Sequence, residues 1–114
     1  MKKLSSDDYK KAFDIVKRVL TIENDDNKVE KSTKSYISSI GASVRCSGLT
    51  ATVAAYIATE GKEKVIKALG QFIDSSIDKH ETVLEKVIAK EISTEQFENA
   101  IVAIKLAIRT FDEK

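Results

Sequence analysis

The sequence predicts an all-α fold: a compact single-domain bundle of about five to six helices over residues 1–114. Three observations predict it. The 114 residues contain no proline, so no position forbids a helix outright. Apolar residues recur at helical spacing along most of the chain and rarely alternate as a strand would. Hydrophobic content of 42% beside 32% charged residues fits a soluble globular protein and excludes a disordered one.

Helix one starts at the Ser5-Ser6-Asp7-Asp8 cluster, whose short polar side chains can cap free N–H groups. Tyr9, Phe13, Val16 and Leu20 form its inward stripe, widened by Ala12, Ile15 and Val19. Residues 23–27 (Glu-Asn-Asp-Asp-Asn) have turn chemistry and no apolar member, and read as a loop. Helix two runs over 28–45, with Val29, Thr33, Tyr36, Ile37, Ile40 and Val44 inward. Lys28, Lys31 and Lys34 then align on one exposed face.

Residues 36–58 carry a single charge, Arg45. Two apolar helices meet there at the break Cys46-Ser47-Gly48, and this hairpin is expected to be the centre of the core. Helix three covers 49–60 and stops at Gly61. Helix four starts at Lys62 and turns Val65, Ile66, Leu69, Phe72, Ile73 and Ile77 to one side. Gly70 inside it predicts a close helix contact, because glycine costs about 1 kcal/mol against alanine in a helix. Residues 74–78 read as a break or a continuation.

Helix five covers 81–90. Ser93 followed three residues on by Gln96 is a capping-box signature for helix six, with Phe97, Ile101, Ile104, Ile108 and Phe111 inward. Ala100, Ala103 and Ala107 give helix six a flat second face, suited to lying against a neighbour.

Composition narrows function. No apolar run is long enough to cross a bilayer, and Lys2-Lys3 has no apolar segment behind it as a secretory signal would. The single cysteine cannot form an internal disulfide, which fits a reducing cytoplasm. Cys46 reads as packed beside the helix turn, and His80 as solvent-exposed among Asp78, Lys79 and Glu81.

One Cys and one His supply no zinc-ligand set. The glycines at 41, 48, 61 and 70 are too scattered for a phosphate-binding loop. No metal, cofactor, small-molecule substrate or membrane is expected, and no catalysis. Net charge is +1, but residues 1–48 hold ten Lys/Arg against seven Asp/Glu, and residues 49–114 nine against eleven. The basic first half is a candidate nucleic-acid-facing side.

The constellation Tyr36, Ile40-Gly41, Val44-Arg45, Gly48-Leu49 and Ala55-Tyr56-Ile57 resembles one family: the small helical subunit of the Cmr complex, the type III-B CRISPR effector. That family shows a tyrosine, a leucine-proline pair, a basic residue just before an asparagine-glycine-leucine turn, and an aromatic on the next helix. Its polar-capped last helix, ending in bulky apolar and basic residues, is similar to 93–111 with Arg109. Gly41 stands here for the proline and Ser47 for the asparagine, and the family's last-helix tryptophan has no counterpart.

The resemblance implies a non-catalytic subunit of an antiviral RNA-guided assembly. Copies stack beside the other Cmr protein subunits and present a basic face to the guide RNA–target duplex. Arg45 matches the family's basic position before the turn. Lys17, Arg18, Lys31 and Lys34 belong to the basic half and are read as sharing its RNA-binding surface. The competing reading is a helical adaptor that binds a partner protein through the small-residue faces of helices three and six. A helix-turn-helix DNA binder ranks last, since the helix after Gly48 carries no base-reading side chain except threonines.

Overall fold

Ser5 starts the first helix by a reciprocal pair of hydrogen bonds. Its hydroxyl accepts from the Asp8 N–H at 3.1 Å, while the Asp8 carboxylate accepts from the Ser5 N–H at 2.9 Å. This satisfies two helix-start donors at once. The structure is a computed structural model that describes residues 4–22 and 25–113. Helix α1 (Ser6–Ile15) continues into one π-helical turn (Val16–Leu20).

Helix α1 buries Ala12 and Ile15, and the π-helical turn buries Val16 and Leu20. Tyr9 and Phe13, expected inward, are each 41% exposed. The small Ala12 side chain lets α1 lie close on its neighbours, which leaves the two large rings at the rim.

The expected loop is instead part of a small sheet. Strand β1 (Thr21–Ile22) pairs antiparallel with β2 (Asp25–Val29), and β2 pairs in parallel with β3 (Asp112–Glu113). Of the expected loop, residues 23–24 lie outside the described residues, and Asp25 to Asn27 are strand. The polar composition concealed this pairing, because backbone groups alone make the ladder. Lys28 and Val29 also belong to β2, so the three lysines do not share one helix face.

Helix α2 (Lys31–Ser47) buries Thr33, Ile37, Ile40 and Val44. The break after it is Gly48 alone, for Cys46 and Ser47 are helical. Gly48 has φ +88°, where an L side chain is strained, and its N–H reaches the Val44 carbonyl at 2.9 Å. Helix α3 (Leu49–Ile57) ends three residues before the expected stop. Cys46 is exposed rather than packed.

Helix α4 (Glu63–Ile73) and helix α5 (His80–Ile88) are separated at Asp74. The Asp74 carboxylate accepts from the Ser76 hydroxyl at 2.7 Å and from the Ser76 N–H at 3.0 Å, a local turn that competes with helix continuation. Ile77 is buried, but lies beyond α4. His80 opens α5 half-buried, with Nε2 at 3.2 Å from the Glu81 carboxylate. Gly70 meets the close approach expected of it: a β-carbon there would collide with a γ-methyl of Val83 on α5.

Helix α6 (Thr94–Ile108) begins at the Ser93 capping box and buries Phe97, Ala100, Ile101, Ala103, Ile104, Ala107 and Ile108. It packs against α1, α4 and α2. The centre of the core is therefore α6, not the α2–α3 hairpin. Its alanine face is closed inside the fold. By contrast, Ala51, Ala54 and Ala55 of α3 are exposed. The radius of gyration, 12.9 Å, matches the roughly 13 Å of a single domain this long.

Candidate nucleic-acid interface

The five predicted cations stand on α2 and on the π-helical turn after α1. The ring of Phe13, late in α1, lies 5.0 Å from that of Phe111, just past the end of α6. The starts of these two helices share a cavity lined by Leu4, Asp8, Gln96 and Asn99, so α1 runs parallel to α6. Helix α2 runs the other way: Lys34 near its start meets Phe111, and Arg45 in its last turn stands beside Glu95 and Glu98.

Lys34 is not a free cation. Its ammonium donates to the Phe111 carbonyl at 2.6 Å, neutralising part of the negative end of α6. Lys31 lies at the exposed start of α2, beside Ile22, Glu30 and Ser32. Lys17 is exposed on the π-helical turn, where its carbonyl accepts from the Thr21 hydroxyl at 2.7 Å and so fixes the chain's exit into β1. Lys31 and Lys34 thus stand at the start of α2, Lys31 beside Ile22 of β1 and Lys34 at the end of α6, while Lys17 is exposed on the turn that leads into β1.

Arg18 turns away from them. Its guanidinium reaches the Gln71 side-chain oxygen on α4 at 3.4 Å. Arg45 is apart as well: eleven residues of helix put it roughly 16 Å from Lys34 along the α2 axis. The five predicted cations therefore do not form one patch: Arg18 meets α4, Lys34 meets the end of α6, and Arg45 stands beside the start of α6. Arg109, the cap residue of α6, is exposed at the end of that helix. It stands in the C-terminal stretch compared with the family, and a basic residue closing a helix is the signal that would have added it to the five.

The tyrosines in the family-like stretch also come together. Tyr56 donates its hydroxyl to the Tyr36 carbonyl at 3.1 Å. Lys62 stands 4.9 Å from the Tyr56 ring centre and 5.1 Å from that of Tyr36. Such cation–π contacts contribute about 0.5–1 kcal/mol each at exposed sites and clamp the α2–α3 hairpin to the start of α4.

Among the described residues, no group of three His, Cys, Asp or Glu side chains is placed to hold a metal ion. No helix among them is long and apolar enough to cross a membrane. Lys17 and Lys31 offer exposed ammonium donors, the kind of group that meets phosphate oxygens. The model of a family of CRISPR-associated proteins, Cas_Cmr5, matches residues 5–111 of the chain. No curated protein and no solved structure matches it.

Proposed function

The chain belongs to the Cas_Cmr5 family of CRISPR-associated proteins, the small subunits of the Cmr (type III-B) effector, and from that premise we propose how it works. It acts in the cytoplasm as a non-catalytic element of antiviral defence. Copies stack into a short filament beside the other Cmr subunits, along the guide RNA–target duplex. In RNA-guided machines base pairing reads the sequence, and the protein contacts shape and backbone. A subunit of this kind needs cations along an edge rather than a reactive pocket.

The observation that carries the duplex reading is that Lys17, Lys31 and Arg109 are exposed cations, joined to no acidic side chain among the described residues. Lys17 and Lys31 make the phosphate contacts. Lys34 holds the α6 terminus in place near Lys31. Arg18 and Arg45, the other two predicted contacts, meet α4 and the start of α6 instead. The observation that favours the adaptor reading is narrower: of its two small-residue faces, only that of α3 is open to a partner.

The test is a titration of a guide RNA–target duplex with the purified protein at about 50 and 200 mM salt. Weak binding that falls with salt is expected, and the Lys17→Glu/Lys31→Glu variant should flatten the log–log salt slope by about two. Binding that ignores salt, or a variant that binds like the parent, sinks the duplex reading.

A further inference from the structure

Among the described residues four large apolar side chains are exposed, and three of them, Tyr9, Phe13 and Leu106, stand on α1 and α6. They lie on adjoining flanks of the two helices. The Phe13 ring lies against that of Phe111 beyond α6, with Tyr9 one turn before it. Lys11 and Arg18, on the other side of α1, meet Phe72 and Gln71 of α4. Leu106 follows Asn99 by about two turns of helix, and Asn99 shares a cavity with Leu4 and Asp8 of α1. The three side chains therefore flank one outer seam between α1 and α6, each of them at least 38% exposed.

The charges on this face are ordered along it. Asp7 and Asp8 stand in the first turn of α1, and Glu95 in the first turn of α6 with Glu98 after it. Lys17 stands on the turn that follows α1, and Lys105 and Arg109 in the last turn and at the cap of α6. Each helix so complements its own dipole. Because α1 and α6 are parallel, the two patterns add rather than cancel. Lys10 and Asp14, within α1, offset one another, and Arg45 offsets only one of the carboxylates at the start of α6. The face thus has an acidic end at the helix starts and a basic end where the helices finish. Turned through half a turn, such a face is complementary to itself.

We propose that this face is a self-docking surface, on which a second copy of the chain sits antiparallel about a two-fold axis near Phe13 and Leu106. Tyr9, Phe13 and Leu106 then meet the same residues of the second copy, and the acidic end of each copy lies on the basic end of the other. Three partly exposed side chains make a small apolar centre, so the pair is weak and reversible, in the class of transient contacts. Two-fold pairing closes after two copies, whereas a filament needs two different faces. The contact therefore rests on neither the stacking nor the RNA reading. It does occupy Lys17 and Arg109, so RNA and a second copy compete for them.

The experiment is sedimentation equilibrium of the full chain without RNA, over a wide range of concentration at low and moderate salt. The expected mass rises with concentration from one copy towards two and no further, and less readily at the higher salt. Leu106→Glu should weaken pairing about tenfold or more. Lys17→Glu/Arg109→Glu and Asp7→Lys/Glu95→Lys should each stay monomeric, and mixing them should restore pairing between unlike copies. All the substituted positions are exposed, and circular dichroism reports that the variants are folded. A protein that is monomeric throughout overturns the proposal, as does growth beyond two copies or pairing that Leu106→Glu leaves unchanged. Two charge variants that stay apart when mixed overturn the antiparallel register.

Discussion

The Lys34 ammonium, in the first turn of α2, donates to the Phe111 carbonyl at 2.6 Å across a separation of 77 residues. It closes the end of α6 just before β3, and β3 then pairs with β2, which leads into α2. The start of α2 and the stretch that follows α6 are thus one structural unit.

Replacing Lys34 by alanine should therefore lower stability by about 1.5–3 kcal/mol, the range for a hydrogen bond with one charged partner. Lys31→Ala, at an exposed position in the same turn, should stay within about 0.5 kcal/mol. Urea denaturation of the two variants decides it, and equal losses would mean that the Lys34 bond contributes nothing in solution.

Gly70→Ala should destabilise the fold by about 1–3 kcal/mol through overpacking against Val83. This runs against helix propensity, which favours alanine by about 1 kcal/mol. Adding Val83→Ala should make the Gly70 change cheaper, because the obstructing methyls are gone. A Gly70→Ala protein as stable as the parent would show that α4 and α5 part easily.

Asp74 carries a pH signature. The Ser76 hydroxyl and then the Ser76 N–H, helped by Lys86 and Lys11, hold its carboxyl below the usual range despite some desolvation. A carboxyl with a lowered folded-state pKa adds stability above its unfolded value of about 3.9, and this is lost as pH falls through the folded value. The gap between the parent and Asp74→Asn should be steady from about pH 5 to 8 and shrink below about pH 4. Denaturant midpoints across that range measure it, and a gap that persists at about pH 3 contradicts the assignment.

Much of the framework was legible because its causes are local. Ser5 and Ser93 act within three residues of themselves, and Gly48 ends a helix by its own backbone freedom. The apolar stripes of α2, α4 and α6 follow from 3.6-residue periodicity. Gly70 was legible as an anomaly, a poor helix former in a helix interior, though not the identity of its neighbour.

The errors have a common origin in pairing. Residues 25–29 carry too few apolar side chains to signal a strand, and their strand character comes from hydrogen bonds to 21–22 and 112–113. Tyr9 and Phe13 fit a stripe by spacing, but how closely α1 approaches α6 decides how far in they reach. Cys46 looked packed because it is a small residue beside the turn of an apolar hairpin, yet its own side of the last α2 turn faces solvent.

By itself the sequence determined the helices, their caps and breaks, and the family. Each is carried by residues a few positions apart or by a motif in the chain's own order. Only the tertiary structure decided that α6 is the centre, that Lys34 is tied to Phe111, and that Arg45 stands opposite Glu95 and Glu98. Charge interactions act over a few ångströms of space, and residues 45 and 95 become neighbours only when α2 and α6 pack antiparallel.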